Sequence, residues 1–325
     1  MVNTPLSQSW IEQIESNQDI YIAIPSFNEQ FLFDTIDSIY SNAQNPNSIH
    51  VGICNQRTDG VFEDFSKFLN VKSLNIHYPY ARGLGLAMLE AMMMWSGQKY
   101  FMRLDAHSIM KENWDSDLIE AFSELRNICD KPIISQRTDW FAVGKTGTKI
   151  FVDGHVDPRY SQQQIVGVIK NQESSYSENP IPWPDGVPYI EHFIVNGGYM
   201  FSDWKFFDEL LSDPRISFFG EEHVFGVRAA SKGFRIFGID KQVLYTLGKS
   251  TDFADTELGK QDWRNFVDSK PNSFLHFYYS YKNILAGIDG GYFGVSDNES
   301  YKKYMDNIGF DYAKFYSENG FLNGL

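Results

Sequence analysis

Apolar positions along this chain fall first at the spacing of a strand, then at that of a helix, and the pair repeats. Residues 19–25 (DIYIAIP) read as a buried strand and residues 29–41 carry apolar side chains at helical spacing, with Ser26 or Asn28 placed to cap the helix. A strand followed by a helix opens a doubly wound sheet. Residues 49–54 are a second strand, followed by a polar turn over 55–60, a helical pattern to Leu69, and a third strand over 74–78. A helix rich in alanine and methionine opens near Tyr80 and ends near Gly97, and Met92, Met93 and Met94 on it read as core packing. Residues 100–104 are a fourth apolar strand, and 114–125 form an amphipathic helix with Asn113 in position to cap it.

Further on the pattern loosens. Residues 136–190 contain several Gly and Pro and no sustained period, so they are expected to lay irregular strands and loops over one face of the sheet. Strand and turn return over 193–201 around Asn196-Gly197-Gly198, and a short helix follows over 204–211. From Asp252 the chain is aromatic-rich, as in His276 to Tyr281, and helical again over 301–316. The prediction is an α/β fold with a mostly parallel, doubly wound sheet and a C-terminal aromatic-rich helical extension.

Composition narrows the class. The chain has 325 residues, 42% hydrophobic and 22% charged, which suits one large globular α/β domain plus an extension. With 28 basic against 42 acidic residues the formal charge is -14, and that field repels polyanions such as nucleic acid or anionic lipid. No apolar run approaches the roughly 20 residues that a membrane helix needs, and residues 1–18 lack the layout of a signal peptide. The expectation is a cytoplasmic protein with no membrane insertion. Cys54 and Cys129 are too few for a disulfide framework or a zinc site and read as small core residues.

Candidate chemistry centres on Asp105 and His107 at the end of the fourth strand, where open α/β sheets place ligand sites. A carboxylate and an imidazole two residues apart on an extended chain point to one side and can share a divalent ion. The same triplet can also be an acid ending a strand and a histidine satisfied in a loop. Asn196-Gly197-Gly198 gives a ring close approach to the backbone, or else makes a tight turn. Glu221 and Glu222 fall at a helix start, where the dipole favours acids whatever their function.

In order along the chain, residues 24–29 (IPSFNE), Arg82-Gly83-Leu84, Leu104-Asp105-Ala106-His107, and Asn196-Gly197-Gly198 followed by Phe219-Gly220-Glu221-Glu222 resemble nucleotide-sugar glycosyltransferases of the GT-A fold. The D-x-H triplet is similar to that of the polypeptide N-acetylgalactosaminyltransferases. It is closer still to the cytoplasmic hydroxyproline N-acetylglucosaminyltransferase family and its bacterial relatives. The resemblance spans residues 19–247 and implies a metal-dependent, retaining transfer of N-acetylglucosamine or another UDP-linked sugar to an acceptor hydroxyl on a protein or glycan. Residues 1–250 are then expected to be the catalytic domain, and 251–325, beyond the resemblance and rich in aromatic residues, an accessory segment that reads the acceptor.

By the same resemblance, Pro25, Ser26, Phe27 and Glu29 face the uracil and ribose, and Gln56 and Arg57 stand where relatives carry a base-pairing aspartate, with Asn55 able to supply a similar edge. Arg82 and Gly83 face the diphosphate, and Arg103 belongs to the same donor site. Asp105 and His107 hold the ion, Mn in preference to Mg because one ligand is an imidazole. Gly197 and Gly198 border the sugar, while Asn196, Glu221 and Glu222 form the catalytic set, with Glu221 turned to the sugar or the acceptor hydroxyl.

One departure stands out. Relatives complete the metal shell with a histidine in the strand that here is residues 243–247, and this chain has none there. Thr246 is a poor substitute, which leaves water, His223, His276 or the nucleotide itself. Two other functions stay open. A phage-type enzyme that places a hexose or pentose on hydroxymethylated DNA bases needs a basic groove; the net charge opposes it, and Arg57, Arg82, Lys99 and Arg103 favour it locally. An inactive sugar-nucleotide-binding protein would explain the missing histidine, but not the retention of Asp105, His107 and Glu221.

Overall fold

The computed structural model describes residues 6–77, 83–144, 147–154, 182–193, 195–216, 221–248 and 298–309. The first half alternates α1 (Gln8–Ser16), β1 (Ile20–Phe27), α2 (Leu32–Ser41), β2 (Ile49–Arg57), β3 (Val71–His77), α3 (Leu84–Met92), β4 (Tyr100–Leu104), β5 (Ser108–Met110) and α4 (Trp114–Leu125). After it come β6 (Pro132–Ile134), β7 (Asp139–Val143), β8 (Lys149–Val152), β9 (Tyr189–His192) and β10 (Tyr199–Asp203). The described chain closes with α5 (Trp204–Glu209), α6 (Glu221–Ser231), β11 (Arg235–Ile239), β12 (Leu244–Leu247) and α7 (Asn298–Ile308).

Eight strands form the main sheet in the order β3-β2-β1-β4-β10-β6-β11-β9. The β3-β2-β1-β4 half is parallel, as the strand–helix alternation requires, and β10 enters antiparallel to β4 and makes the sheet mixed beyond it. Both faces are covered. Ile20, Ile22 and Ile24 of β1 pack with Leu32, Ile36 and Ile39 of α2 and with Trp114, Leu118 and Phe122 of α4. The alternate residues Tyr21 and Ala23 face Ala87, Met88, Ala91 and Met92 of α3 and Phe225 and Ala229 of α6. Burial on both faces is why β1 reads as an almost unbroken apolar run. A smaller sheet, β5-β12-β7-β8, stands beside the carboxyl end of β4.

Several expectations are corrected. Residues 61–70 form turns instead of a helix: the Asp64 carboxylate accepts the Ser66 N–H at 2.9 Å and Phe68 N–H closes on Phe65 O at 2.9 Å, a local bonding pattern that competes with a helical ladder. Asn113 sits at the head of α4 but caps nothing with its side chain; it adopts a left-handed conformation, φ 60°, and its N–H goes to Asn42 O at 2.7 Å. Neither Ser26 nor Asn28 caps α2, whose entry is served by Glu29. Of the C-terminal segment only α7 lies among the described residues, packed on α6; His276 and Tyr281 fall outside them. No helix among the described residues is long and apolar enough to cross a membrane.

Candidate active site

The parallel strands β1, β2 and β4 all end at one edge of the sheet, and β10 begins there. Asp105 leaves β4, and its N–H donates to Gly198 O at 3.0 Å, tying the glycine turn before β10 directly to it. Two residues on, His107 Nε2 lies 3.5 Å from Asp105 Oδ2, while Nδ1 lies 2.9 Å from Glu29 Oε2. The side chains of Asp105 and His107 are 34% and 32% exposed, so the pair opens to solvent. That separation lets one ion be shared, and the far ring nitrogen meets a carboxylate, as it commonly does in histidines that bind metals. Desolvation raises the Asp105 carboxyl above its ordinary range; His107 and Arg103 oppose the shift, and Glu29 and Glu221 add to it. A cation would relieve this surplus of negative charge.

No group of three Asp, Glu, His or Cys able to hold a metal occurs among the described residues. The strand that resemblance assigns to the third ligand is β12, and it does lie alongside: Leu247 N–H donates to His107 O at 3.0 Å and Thr246 pairs with Ser108. The position is therefore beside the pair, but it carries a hydroxyl. The side chain of His223 and all of His276 lie outside the described residues.

The two glutamates at the head of α6 have different surroundings. Glu221 is 4% exposed and places Oε1 2.6 Å from Nη1 of Arg103, itself 1% exposed, with the guanidinium 5.2 Å from the Phe225 ring. The carboxylate oxygen lies off the N–H direction, so the contact is an ion pair and not an aligned hydrogen bond. Arg103 thus spends its charge inside the protein and faces Glu221, not an open cleft. Glu222 accepts the N–H of Gly197. Desolvation, with Glu221 and Asp105 adding repulsion, pushes its carboxyl up to about 7, against the pull of the Gly197 N–H and Arg103. A Cβ on Gly197 would lie 2.6 Å from Glu222 Oε1, and one on Gly198 2.9 Å from Asn196 Oδ1. Asn196 folds that oxygen back onto the Gly198 N–H at 2.8 Å, so it shapes the turn.

At the carboxyl ends of β1 and β2, Pro25 and Ser26 are buried, Phe27 is half-buried, and Gln56 is buried opposite Phe27. Arg57 grips Asp59 with Nε at 3.1 Å and Nη2 at 2.8 Å, and Glu63 with Nη1 at 3.0 Å, so three of its donors are committed to carboxylates. Asn55 donates to the other Glu63 oxygen at 2.6 Å. Sequence reading did not single out Glu63, which the turns over 61–70 bring to Arg57 and Asn55. Asn28 was missed as an organiser: at φ 49° it accepts both the N–H and the hydroxyl of Thr58, at 2.8 and 3.1 Å, and so joins the ends of β1 and β2. An Asn at a strand end, tolerant of the left-handed region, was the available signal. Gly83 heads α3 at φ 87°, and Arg82 lies outside the described residues.

A family model described as Glycosyltransferase (GlcNAc) matches residues 62–249, more than half of the chain. Among solved structures the chain resembles GalNAc-T7 with UDP, GalNAc and Mn2+, at 16% identity and a TM-score of 0.54, over 92% of this chain and 56% of that one. The chain therefore spans little more than half the length of that relative, and the likeness is one of fold: a mixed α/β architecture of the GT-A kind. It also matches S. aureus TarS 1-349 in complex with UDP at 12% identity and a TM-score of 0.44, over 89% of this chain and 78% of that one. No curated protein matches the chain.

Proposed function

This chain belongs to the GlcNAc glycosyltransferase family, and from that premise we propose that it moves N-acetylglucosamine from a UDP-linked donor to an acceptor hydroxyl on a protein or glycan. The observation that carries the reading is the Asp105–His107 pair, 3.5 Å apart, solvent-open and bonded through Asp105 to the Gly198 turn. That pair would hold a divalent ion, with Mn favoured by its imidazole and by the Mn2+ in the GalNAc-T7 structure that shares the fold. Such an ion supplies Lewis-acid neutralisation of the diphosphate as the sugar–phosphate bond breaks.

The remaining steps fall to the chain's own residues. Gly197 and Gly198 present backbone in place of side chains beside Asp105, where a sugar needs close approach. Glu222, held by the Gly197 N–H, is the carboxylate at that turn, and Glu221, its neighbour in the chain, is held by Arg103. Pro25 to Phe27 and the Asn28–Thr58 bridge shape the base and ribose end, with Arg82 and Gly83 at the phosphates. By family resemblance the anomeric configuration is retained, the departing β-phosphate taking the acceptor proton on the same face. Residues 1–250 would be the catalytic unit and 251–325 the part that reads the acceptor.

The test is UDP release across a panel of UDP-sugars with Mn(II), run on the wild type and on Asp105→Ala. One donor should support turnover that both EDTA and the substitution abolish. Release that persists in chelator would overturn the metal assignment, and failure of UDP and of every UDP-sugar to bind in calorimetry would overturn the transferase reading.

A further inference from the structure

Glu29 was expected at the ribose, yet both of its oxygens are taken up within the protein. Oε1 accepts the N–H of Gln30 at 3.0 Å and of Phe31 at 3.3 Å, the donors at the entry to α2, and Oε2 meets His107 Nδ1 at 2.9 Å. The two segments cannot drift apart easily. Thr35 of α2 donates its hydroxyl to Ala106 O at 2.9 Å and accepts the Ser108 N–H at 3.0 Å, which pins α2 to both sides of His107.

A row of carboxylate, imidazole and carboxylate results, with 2.9 Å on the Glu29 side and 3.5 Å on the Asp105 side. A neutral imidazole carries one N–H, and an ionised carboxylate can only accept. The closer partner claims the proton. The Glu29 oxygen at 2.9 Å can only accept, so Nδ1 is the donor, and Nε2 is the nitrogen turned toward Asp105, where a shared cation would sit.

We propose that Glu29 is a positioning residue: it sets the tautomer and the ring plane of His107 so that Nε2 stands ready as a cation ligand. The inference rests on the metal reading of Asp105 and His107, but its first observable, the ring tautomer, needs no metal. Glu29→Gln is the informative substitution. Two backbone N–H groups at the α2 entry require an acceptor, so the amide oxygen stays on that side and the NH2 turns to Nδ1. A ring nitrogen that faces an NH2 must accept, which moves the proton to Nε2 and blocks the lone pair. Side-chain size and helix entry are kept.

The experiment is nitrogen–proton correlation NMR on the full chain labelled at histidine, at about pH 9, above the ordinary imidazole range. His107→Ala identifies the resonance. Wild type should carry the proton on Nδ1 and Glu29→Gln on Nε2. Mn(II) titration followed by electron paramagnetic resonance, with and without UDP, should give the variant an affinity on the order of 10–100-fold weaker. A wild-type proton on Nε2, or a Glu29→Gln protein with unchanged tautomer and Mn(II) affinity, overturns the proposal. Wild type that shows the Nδ1 tautomer but takes up no Mn(II) overturns the metal reading instead and leaves Glu29's hold on the ring supported.

Discussion

Arg103 and Glu221 face each other at 2.6 Å with both side chains almost entirely removed from water. Each charge is tolerated there because the other is present, since a lone buried charge costs far more than the pair. The pair also links β4 to the head of α6, and so ties the Asp105 strand to the glutamate segment. Removing one partner strands the other. Arg103→Met and Glu221→Gln should each destabilise the fold by on the order of 3–5 kcal/mol. The double variant should cost clearly less than the sum, a coupling that urea unfolding of all four proteins measures. Additive losses would mean that the two groups do not depend on each other.

Glu222 gives the site a pH signature. Its carboxyl, ordinarily near 4.5, is pushed up to about 7, chiefly by desolvation. Between those values the folded protein keeps a proton that the unfolded chain releases. The stability carried by that proton is complete below about 4.5 and is lost as pH rises through about 7. Compared with Glu222→Gln, wild type should therefore lose unfolding free energy from about pH 5 to pH 8 and run parallel above that range. Asp105 shifts in the same direction, but it is present in both proteins and drops out of the difference. Denaturant curves that stay parallel across the whole range would remove the raised carboxyl.

Much of this arrangement could be read from the sequence, for reasons particular residues make plain. Strands buried on both faces, such as β1, leave nearly continuous apolar runs that no loop would carry, and Trp114–Leu125 shows its helix by period alone. Asp105, His107 and the Asn196–Gly198 turn declared themselves because strand ends of this fold gather ligand groups at one edge. What stayed hidden depended on distant partners. Nothing local says that Arg103 is paired with a residue more than a hundred positions away, or that Glu29 would be drawn to His107. Residues 61–70 misled because three phenylalanines at a spacing of three imitate a helix, while the Asp64 turn decides otherwise.

Two glycines should respond differently to the same added methyl group. On Gly85 a Cβ would lie 2.2 Å from Asp213 O and 2.4 Å from Ile216 O, both backbone atoms that cannot swing aside. On Gly197 it would lie 2.6 Å from the end of the Glu222 side chain, which can. Gly85→Ala should therefore lower stability by about 1–3 kcal/mol or more as α3 is pushed off the 213–216 loop. Gly197→Ala should unfold close to wild type and yet lose turnover, because Glu222 is displaced and the backbone N–H that holds it is covered. Thermal unfolding set beside UDP release separates the two, and equal behaviour of the pair would contradict the geometry.

Asp105 should separate stability from activity most sharply. Its side chain is 34% exposed, and its ionised form is disfavoured by desolvation and by neighbouring carboxylates, so the fold gains little from it. Asp105→Ala should change unfolding free energy by no more than about 0.5 kcal/mol, the ordinary range for a substitution that removes no packing. Turnover with Mn(II) should nonetheless disappear because only His107 is left of the pair, as it should for wild type in EDTA, where the ion itself is removed. Adding Mn(II) back should restore the chelated wild type and do nothing for the variant. Because mass action stabilises whichever protein binds the ion, Mn(II) with UDP should raise the melting temperature of wild type and leave that of Asp105→Ala unmoved. If the variant gains as much thermal stability from Mn(II) and UDP as wild type does, the ion binds elsewhere and Asp105 has another role.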